Sequence, residues 1–294
     1  MTNTGIRLVV LLILQTPWLP ASYSADGSNP AFNLEVSKQE SIYHSQGDRV
    51  VEGYTIDRSL KDYIRGLPSG FDDSLANLGP KDRWLDIGAG KGQAILDYYT
   101  PDYDLMYPEG RALRGKKAQT VAMSIEDRRT PLWRQTAASL EPKQIQYIFN
   151  KRLREYSLDE LGQFQVITDV IGGFSYTDTL SQFMERVLGI LKINGSFYTV
   201  LQDVHTEEGT NKPFYAGSPF LTEIAKTDGA KMKVCEWLKS ISCVEVTCES
   251  RTDWKPPLEA FHVRKVCDGV AVPALDMVHY EAGTPPERRF KLKN

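Results

Sequence analysis

Asp86-Ile87-Gly88-Ala89-Gly90-Lys91-Gly92 is the stretch that decides the fold of this 294-residue chain. Trp84-Leu85 precedes it as an apolar run, and Ala94-Ile95-Leu96 follows it. That order reads as strand, glycine turn, helix. Glycines at alternate positions let backbone approach a ligand closely. The N-terminus of a following helix offers free N–H groups to a carboxylate. Asp86, at the strand end, can receive a cationic amino group, directly or through water. A plainer reading is a turn that only packs the helix on the sheet. The dinucleotide-binding fingerprint requires its third glycine one position later, where Gln93 stands. A phosphate-binding Gly-x-x-x-x-Gly-Lys-Ser/Thr loop does not occur in the sequence.

Working outward, strands and helices alternate. Arg83 to Ile87 is the first strand and Gln93 to Tyr98 begins the first helix. Tyr99 to Lys117 is longer than an ordinary helix-to-strand connection and reads as an insertion. Gln119 to Ile125, Ile145 to Phe149 and Phe164 to Val170 are the next strands. Thr179 to Leu191 has one apolar face and reads as a helix, with Asp178 as its N-cap. Asn194-Gly195 makes the following turn, and Ser196 to Leu201 is the fifth strand. Ser242 to Glu249 and Ala260 to Val266 leave no room for a helix between them, so they pair as an antiparallel hairpin. The fold class is α/β: a doubly wound, seven-stranded, mostly parallel sheet closed by a C-terminal antiparallel hairpin.

A nucleoside ligand that also carries an amino group and a carboxylate is S-adenosylmethionine. The segment resembles motif I of the class I S-adenosylmethionine-dependent methyltransferases. The likeness runs from about Arg83 to Val266 and includes the strand order and the final hairpin. It implies S-adenosylmethionine as cofactor, with Asp86, Gly88, Ala89, Gly90 and Gly92 holding the methionine end. It further implies an acid after the second strand for the ribose hydroxyls: Glu126, although Ser124 also aligns there. Glu155, after the third strand, is the candidate for the adenine amino group; an exposed residue paired to Lys151 or Arg152 is the plainer reading. Asp169 ends the fourth strand beside Gly172-Gly173, where the cofactor and the acceptor would meet. It either orients a nucleophile or fixes the loop backbone. Tyr176 in the same loop is the second candidate for catalysis. Tyr54, Tyr98, Tyr99, Phe174 and Tyr176 together can form an aromatic pocket.

The resemblance implies methyl transfer to O, N or S of an acceptor, a small molecule or a protein. A non-catalytic nucleoside-binding protein of the same fold is one alternative. An aminopropyltransferase-like enzyme is another, though such enzymes show an acid pair where this chain has only Asp169. The net charge of -3 provides no electrostatic footprint for nucleic acid. His44, His205, His262 and His279 stand apart, and no cysteine spacing suggests a metal.

Residues 1–24 read as a signal peptide. Arg7 precedes the apolar run Leu8 to Leu14, which is too short to span a membrane. Ser22 and Ser24 suit a signal peptidase, so cleavage is expected after Ser24 and export to the periplasm or medium follows. A misassigned start would leave the chain cytoplasmic. Export separates the chain from the cytosol, where S-adenosylmethionine is made. Residues 25–80 read as a leader and helical cap, with Leu60, Tyr63 and Ile64 on one apolar stripe. Residues 81–268 form the methyltransferase-like domain, and 269–294 read as a surface tail. All four cysteines lie late. A hairpin register that sets Cys248 opposite His262 brings Cys243 and Cys267 side by side.

Overall fold

The computed structural model describes residues 58–100, 117–202, 221–254, 258–281 and 287–293. The expected signal peptide, the leader, Tyr54 and most of the insertion lie outside them.

Arg83–Ile87 forms β1 and Gln93–Tyr99 forms helix α3, preceded by cap helices α1 (Leu60–Gly66) and α2 (Phe71–Ala76). β2 is Gln119–Met123, α4 is Pro131–Ser139 and β3 is Ile145–Ile148. After α5 (Leu158–Leu161) come β4 (Phe164–Val170), α6 (Gly173–Tyr176), α7 (Leu180–Ile190) and β5 (Leu191–Gln202). β6 (Leu221–Ala225), β7 (Lys231–Met232) and α8 (Val234–Lys239) lead to the hairpin strands β8 (Val244–Arg251) and β9 (Leu258–Lys265). β10 (His279–Glu281) and β11 (Glu287–Lys291) come last.

The main sheet has seven strands in the order β3-β2-β1-β4-β5-β9-β8. β1 pairs in parallel with β2 on one side and β4 on the other. β9 runs antiparallel to both β5 and β8. This is the class I methyltransferase fold that the sequence implies. Strand order reverses between β1 and β4, and ligands in open α/β sheets bind at the carboxyl ends of strands beside such a reversal.

Both faces are covered, as a parallel sheet requires. Trp84, Val166, Tyr198 and Ala260 face the cap helices, α3 and Trp133 of α4. Leu85, Ile167, Phe197 and Val263 face α7. Alternation along β1 therefore sends Asp86 toward the cap face, beside Trp84. α1 begins with a capping box, in which Ser59 Oγ accepts from Asp62 N at 3.2 Å and Asp62 accepts from Ser59 N at 2.8 Å. Asp97 of α3 also accepts from Leu60 N at 2.9 Å, which ties the cap to the helix after the glycine turn.

Several expectations need correction. Thr179, not Asp178, occupies the N-cap of α7 and makes no side-chain cap bond. Asp178 instead pairs with Arg154 at 2.9 Å. β5 starts where α7 ends and includes the expected turn. Phe164 faces Leu191 while Val166 faces Ser196, and Asn194 takes a φ of 62° in that irregularity. The hairpin register is one residue away from the expected one, with Cys248 opposite Phe261 and His262 opposite Thr247. Cys243 still bridges Cys267, and Cys235 bridges Cys248. The stretch after Asp268 is not a surface tail. β10 and β11 join β6 and β7 in a second, four-stranded sheet. Leu275, Val278 and Phe290 are buried in the core that α7 and α8 share. No described helix is long and apolar enough to cross a membrane.

Candidate functional site

The site is built where β1 and β4 end side by side, with Ile87 opposite Asp169 and Asp86 opposite Thr168. Gly88, Gly90 and Gly92 have φ values of 72°, 55° and 77°, the left-handed region that other residues adopt at a cost. A Cβ on Gly88 would stand 2.9 Å from Gly172 Cα, so the two turns touch backbone to backbone. A Cβ on Gly92 would stand 2.3 Å from the Trp133 ring. Gly88 is exposed, Gly90 and Lys91 are half-buried, and Ala89 and Gly92 are buried. Tyr147 of β3 donates its hydroxyl to Gly90 O at 2.6 Å, and Ala89 N donates to Met123 O at 3.0 Å. Backbone from β2 and a side chain from β3 thus fix the turn.

Asp86 is fully buried. Its Oδ1 accepts from Thr168 Oγ1 at 2.7 Å, and Thr168 in turn accepts from Trp84 Nε1 at 2.9 Å. The Tyr63 hydroxyl, from α1, lies 3.1 Å from each carboxylate oxygen. Burial pushes Asp86 up to about 7, against the opposing effects of the Thr168 and Tyr63 bonds and the Arg58 charge. Burial also holds the Tyr63 hydroxyl well above its ordinary value.

Asp169 is fully buried too, and points to the α7 face. Its Oδ1 accepts from Gly172 N at 2.9 Å and its Oδ2 from Phe174 N at 3.1 Å. Burial pushes it up to about 7, with those backbone bonds lowering it and the Asp86 charge raising it. Of the two roles open in the sequence, this geometry matches the fixing of the loop. The loop needs it: Ile171 sits at φ 54°, a strained value for a β-branched residue. A Cβ on Gly172 would stand 2.8 Å from Ile87 O.

The remaining candidates disperse. Glu126 follows β2, half-buried, and pairs with Arg128 at 3.1 Å. Ser124 lies beside it, its N donating to Ile148 O at 3.1 Å. Glu155 is exposed and accepts from Arg152 N at 2.5 Å, a local turn bond. Tyr176 is half-buried at the end of α6. Of the five aromatics Tyr54 lies outside the described residues, and the other four do not form one pocket. Phe174 packs among Phe183, Phe197 and Phe261 on one face of the sheet. Tyr98 stacks edge-on against Trp84 on the other, and Tyr99 donates to Ala118 O at 2.6 Å. Sequence reasoning missed Tyr63, Trp133 and Tyr147 as site residues. Thr130-Pro131 was the available signal for Trp133, because that pair is a helix start: Thr130 Oγ1 accepts from Trp133 N at 3.1 Å.

No family model matches the chain, and no curated protein matches it. Among solved structures, it is similar to the 1,6-didemethyltoxoflavin-N1-methyltransferase of Burkholderia thailandensis with bound 1,6-didemethyltoxoflavin and S-adenosylhomocysteine. That likeness has 15% identity and a TM-score of 0.44, and covers 85% of this chain and 94% of that one. The precorrin-6y C5,15-methyltransferase of Geobacter metallireducens shows 15% identity and a TM-score of 0.37, over 66% of this chain and 85% of that one. An rRNA methylase of Streptococcus thermophilus shows 12% identity and a TM-score of 0.39, over 67% of this chain and 94% of that one.

Proposed function

We propose that this chain is an S-adenosylmethionine-dependent methyltransferase acting on O, N or S of a small-molecule or protein acceptor. One observation carries the reading. Two fully buried carboxylates, Asp86 and Asp169, flank a left-handed glycine turn at the strand ends. Among the described residues neither forms an ion pair with a basic side chain. Burying charge without a partner is costly, and the high proton affinities of both acids express that cost. A ligand bringing positive charge to this rim relieves it. S-adenosylmethionine brings two, an ammonium and a sulfonium, beside a nucleoside. The residues present fit it: open backbone at Gly88, acids behind it, and a half-buried Glu126 after β2.

When bound, S-adenosylmethionine supplies an already activated methyl group. The chain's own share is to bind, align and exclude water. The glycine turn permits close approach. Asp169 holds the loop that closes the opposite side. Glu126 bonds Arg128 through Oε2, which leaves Oε1 to accept from ribose hydroxyls. A thermal-shift comparison tests the reading. S-adenosylhomocysteine at about 100 times its Kd adds about 2.7 kcal/mol, or roughly 5–10 °C in this size range. NAD and NADP are expected to give no shift. The reverse pattern would overturn the assignment.

One observation favours a second reading, a nucleoside-binding protein without catalysis. Asp169 spends both oxygens on loop N–H groups, so it is not left open as a base. Label transfer from methyl-labelled S-adenosylmethionine to any component of a source extract favours the enzyme; tight binding with no transfer favours the second reading. We further propose that the chain is exported. Two disulfides support this, since such bonds persist in oxidising compartments.

A further inference from the structure

We propose that Tyr63 is the group through which Asp86 meets the amino-acid end of the cofactor. Its hydroxyl oxygen would accept from the ligand ammonium while it goes on donating its own proton in the hydrogen bond to the carboxylate. This rests on the S-adenosylmethionine reading above and deepens it. The motif acid itself has no open side. Thr168 occupies Oδ1 from within the sheet, and the Tyr63 hydroxyl spans both oxygens from the cap. Both residues are buried in the ligand-free chain, so the ammonium would meet the outer of the two, the cap's Tyr63. A phenol has one proton and two acceptor sites. The proton is committed to Asp86. Among the described residues no donor reaches the phenolic oxygen, so its acceptor capacity is unspent.

The carboxylate behind it makes that oxygen a better acceptor for a cationic donor, because a hydrogen bond to an anion polarises the hydroxyl. The placement is rigid. The Ser59–Asp62 capping box fixes the start of α1, and Asp97 of α3 holds Leu60 N. The Tyr63 ring lies 6.4 Å from Phe71, tilted by 48°. The helix that carries Tyr63 is therefore anchored to the helix that follows the glycine turn. The cap thus becomes part of the cofactor site rather than a cover over it.

Calorimetry on the full chain tests this with two probes. S-adenosylhomocysteine carries the amino acid; 5′-methylthioadenosine has the nucleoside and thioether without it. Tyr63→Phe keeps the ring packing and removes the hydroxyl. The expected result is a loss of about tenfold or more for S-adenosylhomocysteine and less than about twofold for 5′-methylthioadenosine. Equal losses for both ligands would make Tyr63 merely structural and overturn the proposal. Unchanged S-adenosylhomocysteine affinity would overturn it as well. Should Tyr63→Phe melt too early to measure, Asp86→Asn removes the polarising charge and must show the same selective loss. A parent chain that binds neither probe overturns the cofactor reading together with this proposal. A parent that binds both, with a Tyr63→Phe variant no different from it, overturns the proposal alone.

Discussion

Asp86 and Asp169 are the two fully buried carboxyls at the rim. Both are carboxyls that burial pushes up to about 7. In the unfolded chain each releases its proton near 4. Between those values the folded state binds more protons than the unfolded state, so stability falls as pH rises through roughly 4 to 7. The ligand-free protein is therefore expected to melt lower at pH 8 than at pH 5, as far as these groups decide it. Asp86→Asn should flatten that slope. Melting curves across the range check this; a slope unchanged by both Asp86→Asn and Asp169→Asn would contradict it. At the same scale, Gly92→Ala combines a left-handed φ with a 2.3 Å approach to Trp133. It is expected to cost more than about 1 kcal/mol, seen as a lower Tm. A parent-like Tm would mean that the Trp133 ring yields freely.

At the scale of elements, Lys265 shows how a strand end secures a helix end. It is 7% exposed, and its Nζ donates to Leu188 O at 3.1 Å and to Leu191 O at 3.2 Å. Those carbonyls end α7, where positive charge and donors are favourable. Lys265→Met keeps the stem and strands both acceptors, so a loss of about 1–3 kcal/mol is expected in denaturant unfolding. No loss would show that water replaces the ammonium. Asp169 does the same work for the loop after β4, and Asp169→Asn, with one acceptor fewer, should lower Tm along with any activity. Elements with strong local patterns were legible: β1 and β4 match the expected spans residue for residue. The glycine turn was legible because only glycine suits three left-handed positions in a row of five. Tyr63 was not, because at helical spacing beside Leu60 and Ile64 it reads as core; only tertiary packing reveals its partner. The hairpin missed by one residue because register depends on which face is buried, and β8 alternates only weakly. The second sheet was invisible for a similar reason. β11 pairs with β6 across more than sixty intervening positions, as in Phe290 opposite Ile224, and short strands with nonlocal partners leave no periodic trace.

At the scale of the whole molecule, two disulfides secure the edge of the main sheet, one to the layer that packs on it and one within its closing hairpin. Cys235–Cys248 joins α8 to β8, and Cys243–Cys267 closes the outer end of the hairpin. Their separations of 13 and 24 residues imply about 3 kcal/mol each in the chain-entropy account. Thiol counting on the native protein should find no free thiol, and reduction should release four. Reduction should also lower Tm. Four free thiols in a freshly isolated native protein would contradict both the bridges and the exported setting. These features converge on one site: the rim between β1 and β4 as the place where S-adenosylmethionine binds. Calorimetric titration of the full chain with S-adenosylmethionine and S-adenosylhomocysteine decides it. One site per chain is expected for each ligand, tighter at pH 7 than at pH 5.5, because across that range the acid ionises while the ammonium keeps its charge. No binding of either ligand at millimolar concentration would contradict it.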